Sequence, residues 1–177
     1  MRSFFLAALL AAQTPGDLIY ELEPDQVFLS YQADLGSAQI SGVSRTLEWS
    51  AAVLPGSAAE VQLRVPVASF DSGHGEIDSL VREALEAERF PEVVVEGIAK
   101  SGRFNGTVTL HGVSQSLSAP LSAERKGASL VVRTTFPIAL DAFHVKPPPG
   151  AGNRVQVDFV ARLHLHPDAV LGGGAVN

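Results

Sequence analysis

The stretch that most constrains this chain is the alternation of apolar and polar residues from Arg154 to His166. Val155, Val157, Phe159, Ala161, Leu163 and Leu165 fall on one side. Arg154, Gln156, Asp158, Arg162, His164 and His166 fall on the other, with Val160 alone out of phase. A period of two sends successive side chains to opposite faces of a β-strand, so this segment has one dry face and one wet one. Such a strand is stable only when its dry face is covered by other strands or by a helix.

The same period recurs along the chain. Val61, Leu63, Val65 and Val67 are set against Glu60, Gln62 and Arg64, and Leu130, Val132 and Phe136 against Arg133 and Thr135. Shorter runs are Leu18/Tyr20/Leu22, Val27/Leu29/Tyr31, Leu47/Trp49/Ala51, Val93/Val95, Val108/Leu110 and Leu117/Ala119/Leu121. Turn residues punctuate them at Glu23-Pro24-Asp25, Pro55-Gly56-Ser57, Asn105-Gly106 and Lys126-Gly127. One segment breaks the period. Ser79–Arg89 puts Leu80, Val81, Ala84 and Leu85 on one helical face, with Asp78 or Ser79 as its cap and Phe90-Pro91 as its stop. Many short strands with a single helix predict an all-β fold, an antiparallel sandwich or closed barrel with the helix over one end.

Composition narrows the function classes. Apolar residues are 46% of the 177, enough for a core, and the net charge of −6 comes with no basic cluster of the kind a nucleic-acid binder needs. There is no cysteine, which excludes a disulfide framework, a thiolate nucleophile and cysteine-based metal sites. Arg2 followed by the apolar run Phe4–Ala12 has the layout of a secretory signal peptide and is too short to cross a bilayer, which takes ~20 apolar residues. We read residues 1–14 as that signal, with Ala12 an acceptable cleavage position, and 17–170 as one barrel domain. The expected location is periplasmic or secreted, and nothing in the remainder is a membrane-spanning candidate.

Two blocks resemble a known family. Phe104-Asn-Gly-Thr-Val-Thr-Leu-His-Gly-Val-Ser-Gln-Ser-Leu117 is similar to the G-x-L-T-x-H-G-V-T stretch of YceI-like proteins. Val67-Ala-Ser-Phe-Asp-Ser-Gly73, then Asp78, the helix and Phe90-Pro91, resembles the family's S-I-x-T-G … R-D-x-H-L … Y-P region. Tyr20–Pro24, Gly42 after the second strand, and Phe136–Phe143 follow in the same order. Three positions depart from the pattern. Ser44 stands where an aromatic residue usually follows Gly42, Trp49 replaces a common glycine, and the Arg-Asp-x-His-Leu stretch keeps only Asp78 and a shifted Leu80. The resemblance implies a lipocalin-like, eight-stranded antiparallel β-barrel that holds a long-chain lipid, a polyisoprenoid or a fatty-acyl or amide type, for carriage or storage.

The residues support that reading in their own terms. An eight-stranded barrel either fills with side chains or holds one small ligand, and the inward set is Val, Leu and Ala with few charges. Candidate ligand-lining residues are Leu29, Tyr31, Leu47, Trp49, Leu63, Val95, Leu110, Val132, Phe143, Val157 and Phe159. The alternative is a structural or protein-interaction barrel whose interior is packed and empty of ligand. No cofactor, metal or nucleic-acid partner is expected, and a homodimer is compatible with the reading without being required by it. His164 and His166 share a strand face, but a metal site needs further converging ligands. No Gly-x-Ser-x-Gly elbow is present, and Ser72-Gly73-His74 suggests a nucleophile only as letters, so the chain is read as a non-enzyme. His111 is expected to hydrogen-bond turn backbone.

Overall fold

The computed structural model describes residues 20–54 and 58–165. Nine strands, β1 (Tyr20–Leu35), β2 (Ala38–Ser44), β3 (Glu48–Leu54), β4 (Ala58–Pro66), β5 (Glu92–Lys100), β6 (Arg103–Leu110), β7 (Val113–Lys126), β8 (Ser129–Ala139) and β9 (Ala151–Leu165), carry the fold, with one helix α1 (Gly75–Ala84). Every pairing is antiparallel, in the order β2-β1-β9-β8-β7-β6-β5-β4-β3, and the sheet curls into a half-barrel. The all-β class read from the alternation and the lipocalin-like architecture implied by the resemblance are the observed ones, with nine strands in place of eight.

Three local expectations are corrected. Glu23-Pro24-Asp25 does not separate two strands. It lies inside β1 as a bulge, where residues 23–26 stand opposite Arg162 alone while Leu22 pairs with Leu163 and Val27 with Ala161. Proline has no N–H to give a ladder, so a bulge is where a strand tolerates it. Gly42 does not follow a strand but sits within β2, facing Tyr31, in a segment whose weak apolar pattern hid it. Asn105-Gly106 lies inside β6. The turn falls at Ser101 and Gly102, both at positive φ as a two-residue hairpin turn requires.

Gly106 has a different use. It faces Gly97 across the β5–β6 pair, and a Cβ on Gly97 would come within 2.6 Å of the Gly106 Cα. Both positions must lack a side chain for the two backbones to approach this closely, which is one way a sheet bends at a barrel corner. A second bend lies in β7, which pairs with β6 up to Pro120 and with β8 from Leu121 onward. The turn expected at 55–57 lies outside the described residues, as do the signal segment and His166.

The helix starts earlier than Ser79. It runs Gly75–Ala84 with His74 as an N-cap that makes no side-chain cap bond. Asp78 instead reaches back out of the first turn, accepting hydrogen bonds from the Ser72 N–H (2.8 Å) and hydroxyl (2.6 Å). The helix ends at a run of turns in which Glu86 is left-handed (φ 46°), before Phe90.

The antiparallel connections define two ends of the barrel. At one lie the β1–β2 hairpin, residues 67–91 with α1, the β6–β7 turn and residues 140–150. At the other lie the β3–β4, β5–β6 and β7–β8 connections. The open seam between β2 and β3 is closed in part by a backbone bridge between Val43 and Asp71. Ser44, fully buried, bonds the Ser69 hydroxyl at 2.6 Å, and Ser69 in turn donates to the Pro66 carbonyl. A small hydroxyl at 44 therefore ties β2 to the 3-10 turn at Val67–Ser69.

Candidate functional site

The inward faces of the strands do not meet at the barrel centre. A cavity of about 140 Å³ lies at the α1 end and a larger one of about 360 Å³ at the other. Leu29, Val95 and Phe136 border both, so the two compartments adjoin at a waist formed by β1, β5 and β8. The second volume falls within the ~300–1,000 Å³ of ligand pockets in general.

Nine of the eleven candidate residues border these spaces. Leu29 and Val95 line both, Tyr31, Leu110 and Val157 line the first, and Trp49, Leu63, Val132 and Phe159 line the second. Period two puts them there, because each points to the dry face of its strand. Trp49 stacks on Phe159 with ring centroids 5.2 Å apart, so the indole is at once wall and packing. Leu47 and Phe143 belong to the surrounding core and border neither cavity.

Alternation missed the contributors outside regular strands. Ile77 and Val81 of α1, Leu85 just after it, Phe70, Leu140 and Val145 close the first cavity. The apolar face of the helix signalled part of this set. The rest come from loops, which have no period to read. α1 has no fully buried residue, and Leu80 is 40% exposed. It lies over the cavity as a cover rather than inside the core.

His111 fastens that cover. It stands in the β6–β7 turn at φ 52°, its Nδ1 3.2 Å from the Phe143 carbonyl. Its Nε2 is 3.0 Å from Glu86 Oε1 in the turn after α1, a contact not aligned as a hydrogen bond. The Phe90 ring lies 4.6 Å from the imidazole. One side chain thus joins three loops at the α1 end. The expected bond to turn backbone exists, but to a turn 32 residues away in sequence.

Tyr31 is the notable polar group. Its ring meets Phe70 edge-on at 5.4 Å and covers Gly42, where a Cβ would sit 2.6 Å from the hydroxyl. The hydroxyl is buried with no hydrogen-bond partner among the described residues. Burial, with Asp78 and Asp71 adding, pushes its pKa above the ordinary tyrosine value, so it stays a neutral phenol.

Hydrolytic geometry is not assembled at the loop that carried the suggestive letters. The Ser72 hydroxyl is engaged by Asp78, and the His74 ring meets the Ser72 carbonyl instead of that hydroxyl. A triad needs the imidazole on the nucleophile, with the carboxylate on the far ring nitrogen. Among the described residues no three His, Asp or Glu side chains converge to hold a metal ion. No helix among them is long and apolar enough to cross a membrane.

A curled antiparallel sheet around an apolar, partly empty interior, with one helix across an end, defines a lipocalin-like barrel. The chain matches the YceI-like domain over residues 20–163, and it belongs to that family. Among solved structures, Burkholderia cenocepacia BcnA is similar at 19% identity and TM-score 0.70, covering 80% of this chain and 99% of that one. A polyisoprenoid binding domain from Saccharophagus degradans implicated in plant cell wall breakdown gives 17% identity and TM-score 0.69, over 85% and 100%. The Campylobacter jejuni YceI protein gives 12% and 0.62, over 75% and 89%. No curated protein matches the chain in sequence.

Proposed function

We propose that this protein is an exported, non-enzymatic carrier or store for a long apolar lipid, isoprenoid or fatty-acyl in type, buried along the barrel axis. The observation that carries the reading is the pair of apolar cavities adjoining at Leu29, Val95 and Phe136. Side chains that merely packed against one another would leave no such pair of adjoining spaces, which weighs against an interior without ligand. Membership of a family of binding proteins, and a fold neighbour described as polyisoprenoid binding, point the same way. Each buried methylene contributes ~0.8 kcal/mol, so ten supply ~8 kcal/mol before ordering costs. No charged residue is needed for that.

In this reading α1 and its flanking loops form a lid, held at one end by Asp78 on Ser72 and at the other by His111. Deleting 73–89 should speed ligand exchange in a folded variant, and unchanged exchange would remove the lid from the account. The direct test is native mass spectrometry of protein taken from its own exported compartment, followed by organic extraction. A co-purifying isoprenoid or acyl mass supports the carrier. A clean apo mass, with no quenching or shift of Trp49 fluorescence on adding farnesol or palmitate, moves the function to the outer surface. Trp49 is the sole tryptophan and borders the larger cavity, so its emission reads occupancy directly.

A further inference from the structure

The two compartments differ in polarity, and the difference has a direction. The side chains bordering the cavity under α1 are apolar apart from the buried Tyr31 hydroxyl. The larger cavity, by contrast, is bordered at its outer end by the β5–β6 turn, Lys100-Ser101-Gly102, and by Thr134. Among the described residues, Lys100 is the one charged residue bordering either space, and no carboxylate among them pairs with it. Its turn partner Arg103 is engaged by the Ser118 hydroxyl, so that turn carries two cations and no acid. The opposite end is covered by a segment of the other sign. Residues 71–90 hold Asp71, Glu76, Asp78, Glu83, Glu86 and Glu88 against Arg82 and Arg89.

Resting on the lipid-binding reading, we propose that the ligand is an anionic amphiphile bound in one orientation, its carboxylate or phosphate head at Lys100 and its chain directed past the apolar waist of Leu29, Val95 and Phe136 toward α1. An ionised head cannot enter the apolar interior without a large desolvation cost, so it must stop at a mouth. The mouth with an unpaired ammonium attracts it, and the mouth under the acidic segment repels it. Lys100 is exposed at this mouth, so its ammonium stays hydrated beside the cavity. The chain then fills the larger compartment first and reaches the smaller one only if it is long.

The test compares ligands that share a chain and differ in head: farnesol with farnesyl phosphate, and dodecanol with dodecanoate. Each is titrated into the full-length protein and into Lys100→Gln and Lys100→Arg, with Trp49 fluorescence as the readout. Wild type should prefer each anion over its alcohol by about fivefold, the scale of one solvent-facing charge contact. That preference should vanish in Lys100→Gln, persist in Lys100→Arg and shrink with added salt, while the alcohols bind all three alike. The anion with the larger advantage names the head. Equal binding of anion and alcohol by wild type, or a preference that survives in Lys100→Gln, overturns the orientation and leaves lipid binding standing. Binding of none of the four overturns the parent reading, and this inference with it.

Discussion

Tyr31→Phe should stabilise the protein, although it removes a polar group from a buried position. The Tyr31 hydroxyl is sealed against Gly42 without a hydrogen-bond partner among the described residues. An unsatisfied buried hydroxyl costs about 1–3 kcal/mol, a cost the phenyl ring does not incur. Against this stands the void left by one oxygen, a few tenths of a kcal/mol at ~24 cal/mol per Å³. The edge-on contact with Phe70 remains. The expected net gain is about 1 kcal/mol, or about 2–4 °C in Tm for a chain of this size. Urea and thermal unfolding followed by far-UV circular dichroism measure it. The sign of the pH effect follows from the same burial. The folded-state pKa is raised, so stability is full below the ordinary value of 10.0 and is lost as pH rises beyond it, where the unfolded phenol ionises first. Tyr31→Phe should flatten that alkaline limb. With only two tyrosines in the chain, tyrosinate absorbance can follow the titration directly. A loss of 1 kcal/mol or more, at about neutral pH, would refute the reasoning, because it would mean the hydroxyl is satisfied in the native protein.

The other predictions concern the seams and corners. Gly97→Ala places a Cβ against the Gly106 backbone, which cannot swing away as a side chain can, so a loss of about 2 kcal/mol or more in urea unfolding is expected. Ser44→Ala removes the bond to Ser69 at a fully buried position and should cost about 1–2 kcal/mol, with faster hydrogen exchange at Val43 and Asp71 where the seam closes. Asp78 has its pKa lowered chiefly by the Ser72 hydroxyl, then by the Ser72 N–H. Its contribution is therefore present above the ordinary aspartate value of 3.8 and is lost as pH falls below it. Exchange of the 72–78 backbone amides should rise in that acid range in wild type, while Asp78→Asn should show the fast exchange already at neutral pH.

Much of the barrel was legible because strand character is a local property. The alternation of Val155, Val157, Phe159, Ala161 and Leu163 names a dry face before any partner is known, and those residues do face the interior. The same logic found most of the cavity wall. It failed where the periodic signal was weak or the local signal misleading. Ala38–Ser44 has only Ile40 and Val43 as large apolar residues, and its pairing with β1 makes it a strand. Asn105-Gly106 has turn chemistry, yet the glycine is there to face Gly97. Leu140 and Val145 come from an irregular connection whose residues have no period to betray them.

The sequence by itself determined that this chain would be a sheet with one dry face, a single amphipathic helix and no cysteine chemistry. Period, capping and composition act over a few neighbouring residues, so they can be read without the fold. Tertiary structure alone decided the rest. It set the bulge opposite Arg162, the division of the interior at a waist, the isolation of the Tyr31 hydroxyl and the reach of His111 to Phe143. Each of these depends on which distant residues a strand register brings opposite one another, and a one-residue slip in that register would have exchanged the wet face for the dry one.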